Sequence, residues 1–161
     1  MTSVRQSGNI TPYHSVLWAA DGVIADAGAP AAGRFMVAGR SFNFNTVNDQ
    51  PIVFPQWVTA FRLAGIIITN ASINLTTATG GFYPAASKGG TPIVANTQTY
   101  TILTSANALM EAQITAPGAA IRYSSNTLAT IGGLLAVYFS LTTPQGVAAR
   151  GDIYIAYDNL S

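Results

Sequence analysis

The strongest hydrophobic pattern in the chain lies between residues 57 and 78. Trp57, Thr59, Phe61 and Leu63 share one side of an extended segment, and Val58, Ala60, Arg62 and Ala64 share the other, because side chains of a strand alternate with a period of two. After Gly65, Ile66, Ile67 and Ile68 form an unbroken β-branched run, which favours a strand covered on both faces. From Ala71 the alternation resumes, with Ala71, Ile73, Leu75 and Thr77 opposed to Ser72, Asn74, Thr76 and Ala78. The pattern predicts two consecutive strands joined by a tight turn near Asn70, or one long strand with a bulge there. Either version forms the middle of a sheet.

Shorter extended patterns flank this centre. They fall at residues 13–19, 34–37, 39–45, 52–54, 92–95, 109–115, 120–123, 127–131, 134–141 and 152–158. Pro51 and Pro55 confine 52–54 to an edge, since proline lacks a ladder donor. In 134–141, Tyr138 and Phe139 point to opposite faces. Residues 97–101 look extended, while Leu103, Ala106 and Met110 suit one face of a helical turn. Gly80-Gly81 and Lys88-Gly89-Gly90 bracket residues 82–87, which read as an irregular loop at one end of the sheet. Gly132-Gly133 marks a bulge or a close backbone approach. Eight to ten short strands with recurring turn signals predict an all-β chain: a two-sheet antiparallel sandwich of jelly-roll type over residues 14–161. Residues 1–13 are polar and read as an N-terminal arm, either frayed or ordered against a neighbouring subunit.

Composition sharpens this picture. The 161 residues are 49% hydrophobic and only 8% charged, with one lysine and one glutamate. Charged residues normally make up about a quarter of a globular chain. A surface so poor in charge is either neutral and polar or hidden against other subunits, since large buried interfaces are depleted in charge. An assembly, a homo-oligomer, is therefore expected. The net charge is +1 with no basic stripe, which argues against binding nucleic acid through its phosphates. The apolar run 134–139 falls far short of the roughly 20 residues that span a bilayer, and no secretory leader is read in the first residues. No membrane partner is expected.

Candidate chemistry is sparse. His14 is the single histidine and cysteine is absent, so a zinc site lacks ligands and a histidine-based triad has one unpromising candidate. Asp21, Asp26, Asp49, Asp152 and Asp158 are scattered, and nothing nominates a partner carboxylate for Glu111. No catalytic residue, metal site or cofactor is predicted. Most aromatics are expected to fill the core or an interface. Phe82 and Tyr83 stand apart because they fall in the glycine-rich stretch, and with Lys88 they form the predicted contact loop, facing a neighbouring subunit or a sugar.

The segment 67–95, with Thr-Asn-Ala-Ser-Ile-Asn-Leu-Thr-Thr-Ala-Thr-Gly-Gly-Phe-Tyr-Pro at its heart, resembles small structural proteins of tailed bacteriophages. So does 138–157, Tyr-Phe-Ser-Leu-Thr-Thr-Pro-Gln-Gly-Val-Ala-Ala-Arg-Gly-Asp-Ile-Tyr-Ile-Ala-Tyr. The likeness runs from about residue 57 onward and is one of phrasing rather than of a catalytic signature. The resemblance implies a non-enzymatic virion component with a β-sandwich domain: a capsid decoration (cement) protein or a small head- or tail-associated protein, expected as a homo-oligomer, a trimer, in contact with the major capsid protein or other virion proteins. The rival expectation is a head- or tail-associated carbohydrate-binding module for host recognition.

Overall fold

The computed structural model describes residues 16–18, 33–116, 120–122 and 130–160. The predicted arm 1–13, His14, Asp21 and Asp26 lie outside them. Ten strands follow one another, with no helix among the described residues: β1 (Val16–Trp18), β2 (Arg34–Asn43), β3 (Gln50–Val53), β4 (Ala60–Thr69), β5 (Thr79–Tyr83), β6 (Leu109–Glu111), β7 (Ala120–Arg122), β8 (Thr130–Ile131), β9 (Leu134–Thr143) and β10 (Arg150–Asn159).

They form two sheets. The larger runs β1-β2-β10-β4, and the far edge of β4 carries β7 opposite Ala60–Arg62 and β6 opposite Ile67–Thr69. The smaller runs β3-β9-β5, with β8 on the start of β9. All pairings are antiparallel except that of β1 with β2. Gly132 and Gly133 make the two-residue turn between β8 and β9, both at positive φ (59° and 83°). Hairpin turns of this kind need that conformation at both central positions, and glycine reaches it without strain.

Two bulges explain why the sequence pattern changes phase. In β2, Phe35 and Val37 are buried, and then Phe42, followed just past the strand by Phe44; the inward face moves from odd to even positions. Between them Arg40 and Ser41 together oppose the single residue Asp152 of β10. An extra residue shifts every later side chain to the other face. The expected strands 34–37 and 39–45 are thus one strand. In β4 the same happens at Ala64: Gly65 pairs with Ala156 and Leu63 with Tyr157. Phe61 and Leu63 point inward before it, Ile66 and Ile68 after it. Ile67 is half-buried.

The strand predicted for 71–78 is not formed. The chain does turn at Asn70 (φ 55°), but the following residues make an irregular loop. Ala71, Leu75 and Ala78 are its buried positions. Their spacing is not a strand's, and the segment is held by Gln145 and by scattered backbone bonds to Arg150, Leu103 and Tyr100 rather than by a ladder.

Between the sheets, Phe139 of β9 sits among four rings: Phe44 at 5.0 Å, Phe82 at 5.2 Å, Phe42 at 5.8 Å and Tyr100 at 5.9 Å between centroids. Phe54 stacks on Phe61 at 4.2 Å and meets Tyr157 edge-on at 5.1 Å. Burying one such ring stabilises by roughly 1.5–3 kcal/mol. These contacts join both sheets into a single core.

Candidate functional site

The predicted contact loop needs correction. Thr79–Tyr83 is a regular strand, β5, paired with β9. Phe82 opposes Phe139 and is fully buried in the core. Tyr83 opposes Tyr138 on the other face of the sheet and is buried too. Neither presents a ring for stacking on a sugar. The glycines before them are there because backbone crowds them. A Cβ on Gly80 would lie 2.5 Å from the Leu141 Cα and the Ser140 carbonyl oxygen, and one on Gly81 would run into the Val94 carbonyl oxygen.

The outer face of β9 is covered by two loops. Ser140 is buried there and its Oγ donates to the Val47 carbonyl at 3.3 Å. The Ser87 N–H donates to an Asp49 carboxylate oxygen. Ser87 and Lys88 both hold positive φ (58° and 56°), and Gly90 follows at 78°. Lys88, the third residue of the predicted loop, is exposed, and its Nζ lies 3.4 Å from the Val47 carbonyl. Burial pushes the Tyr83 phenol above its ordinary pKa. Thr142 beside it pulls the other way without a hydrogen bond of good geometry, and the Asp49 charge pushes it further up. Burial raises Tyr138 likewise, with the Asp49 charge adding.

Charge is scarce on the surface, and the most exposed large apolar side chains lie on segments at one end. Ile102 is 64% exposed, Leu109 61%, Val147 56% and Val47 46%, while Ile131 (39%) and Leu160 (36%) lie toward the other end, beside the start of β9 and the end of β10. The backbone brings all four segments together around the 69–78 loop. Leu109 pairs with Thr69, and the Leu103 carbonyl accepts from Leu75 N–H at 3.0 Å. Gln145 takes Thr77, and Phe44, three residues before Val47, donates its N–H to Ala149 at 2.9 Å. Lys88 borders this end through Val47. Sequence reasoning missed the site because its members lie in four separate loops and edges, none with a local signature.

Gln145 organises that end. Its Oε1 accepts the N–H groups of Thr77 and Ala78, both at 3.2 Å, and its Nε2 donates to the Asn74 carbonyl and to Thr76 Oγ1, both at 3.2 Å. The Thr77 hydroxyl donates back to the Gln145 carbonyl at 2.8 Å. A buried amide with both ends satisfied fixes a loop that has no ladder of its own.

On the flank of the smaller sheet, residues 95–99 and 113–115 enclose an open groove of about 430 Å³, lined by Thr97, Gln98, Thr99, Gln113, Ile114 and Thr115 beside Ala95. None of these side chains is charged. Among the described residues no cluster of three or more His, Cys, Asp or Glu side chains is poised to hold a metal, and no helix is long and apolar enough to cross a membrane.

Fold and surface define the molecule as an all-β protein of two facing sheets with an apolar end. No family model, no curated protein and no solved structure matches the chain.

Proposed function

We propose that the chain is a non-enzymatic building block of a bacteriophage particle, a capsid decoration protein of jelly-roll type. It acts as a homo-oligomer, a trimer, and bridges capsomers of the major capsid protein, with residues 1–13 as an arm laid on a neighbour. The observation that carries the reading is that the four most exposed large apolar residues, Val47, Ile102, Leu109 and Val147, lie on segments that meet at one end of a surface poor in charge. Scattered exposed apolar residues are ordinary, but a group of them marks a contact surface. The resemblance of 67–95 and 138–157 to phage structural proteins supplies the setting.

The mechanism is mass action. A protein that binds the assembled shell and not its dissociated parts shifts the equilibrium toward the shell. A trimer multiplies weak contacts by joining them. Because the contact end depends on apolar burial, attachment varies little with salt.

Light scattering on the full chain tests this directly. It should read several times the mass of one chain, and Ile102→Lys with Leu109→Lys should reduce it to one chain or release the protein from phage heads. A wild-type protein that scatters as a single chain and sediments free of heads overturns the proposal. So does detachment from heads by salt alone.

A further inference from the structure

We propose that the groove between residues 95–99 and 113–115 is a binding site for a neutral oligosaccharide. Its frame is fixed by Gln98. That residue donates its N–H to the Ala95 carbonyl at 3.0 Å, and its carbonyl accepts from Gly80 N–H at 3.0 Å. Its Oε1 accepts from Gln113 N–H at 3.3 Å, and its Nε2 donates to the Thr99 carbonyl at 3.0 Å. The Val94–Ile114 bridge and the bond from Thr115 N–H to the Ile93 carbonyl at 2.8 Å tie the two walls together. A wall held in this way does not have to be ordered by a ligand.

With Gln98 committed to the frame, Thr97, Thr99, Gln113 and Thr115 line the opening. Their side-chain polar groups have no hydrogen-bond partner among the described residues. Hydroxyls and a primary amide each donate and accept. A sugar hydroxyl also does both, so this lining matches a polyol at several points. Ile114, half-buried in the groove, offers an apolar patch for the C–H face of a ring. No arginine or lysine lines the groove, so phosphate, sulfate and carboxylate groups would find no charged partner there. The volume lies within the ~300–1,000 Å³ of small-ligand sites. An open site without an aromatic platform binds weakly, and repetition across an oligomer compensates for that. The groove shares no residue with the apolar end, and its test does not depend on the particle role.

Saturation-transfer NMR on the full chain provides the test, with maltotriose, cellotriose and tri-N-acetylchitotriose as neutral probes. Sialyllactose and an uncharged hexapeptide serve as the contrasting probes. At least one neutral trisaccharide should receive signal, and molar salt should leave it unchanged. Thr97→Ile with Thr115→Ile should abolish it, and Gln113→Leu should weaken binding about tenfold. All three positions are exposed, so the melting temperature should not move. No transfer to any neutral trisaccharide overturns the inference. Transfer that survives the double variant, or binding of only sialyllactose or the peptide, overturns it equally.

Discussion

Asp152 holds Ser41 in a left-handed backbone conformation: its Oδ1 accepts the Ser41 N–H at 2.9 Å, where Ser41 has φ 59°. Its Oδ2 accepts from Asn70 Nδ2 at 2.8 Å, and Asn70 is left-handed too (φ 55°). One buried carboxylate therefore fixes the β2 bulge and the turn that ends β4. Non-glycine residues in this region cost roughly 1–2 kcal/mol each, and they persist when the surroundings determine them.

Removing the carboxylate should cost more than one ordinary hydrogen bond. Asp152→Ala leaves the Ser41 N–H unpaired and is expected to destabilise by about 2–3 kcal/mol in denaturant unfolding. Asp152→Asn keeps one acceptor for Ser41, and the Asn70 amide can turn over to accept from it, so its cost should stay near 1 kcal/mol. Equal losses for the two variants would show that the clasp does not hold the bulge.

The Gln145 clamp makes a second case. Gln145→Leu keeps the volume and removes four side-chain hydrogen bonds to Asn74, Thr76, Thr77 and Ala78. A loss of about 1–3 kcal/mol is expected, since the Ala78 N–H stays buried without a partner while Asn74, Thr76 and Thr77 are exposed and can turn to water. Hydrogen exchange should quicken over 74–78 and leave β9 protected. Uniform loss of protection across β9 and β10 would mean the loop is held by something else.

Much of this architecture was legible, and the failures have physical causes. Strands β4, β9 and β10 announce themselves because long alternating or β-branched runs are hard to satisfy in any other way. The phase break near Gly39 divided β2 into two expected strands, since a bulge and a strand end look alike in sequence. Residues 71–78 alternate as a strand would, but Gln145 reaches them from far along the chain, and that partner has no local signature. Phe82 and Tyr83 read as loop residues in the sequence because Gly80-Gly81 is ordinarily a turn signal. In this fold the pair marks close approach of backbone, a property of neighbours rather than of the segment itself.

That reading of the glycines makes a prediction that separates space from conformation. Gly81→Ala places a methyl group against the Val94 carbonyl and should cost ~1–3 kcal/mol or more, as overpacking does. Gly133→Ala meets nothing within 4 Å, and only its φ of 83° opposes it, so the loss should be about 1–2 kcal/mol. D-alanine introduced by chemical synthesis would relieve the strain at 133, since it accepts positive φ, and should restore stability there. At 81 it should give no comparable rescue. Rescue at 81 and none at 133 would reverse the assignment.

The buried tyrosines predict an alkaline limit to stability. Burial raises the phenols of Tyr100 and Tyr157 far above the ordinary value of 10.0, and Tyr83 and Tyr138 rise by the same cause. The folded state therefore holds these protons more tightly than the unfolded chain does. Their contribution is fully present below about pH 10 and is lost as pH climbs above it. In a spectrophotometric titration these tyrosines should ionise late and together with unfolding, while an exposed phenol ionises near its ordinary value. Tyr100→Phe should remove one residue from the late phase. It should also cost roughly 1 kcal/mol, because the hydroxyl donates to the Gly80 carbonyl at 3.0 Å. If all seven tyrosines titrate in one step with the fold intact, the phenols are reached by water and the packing around Phe139 is looser than described.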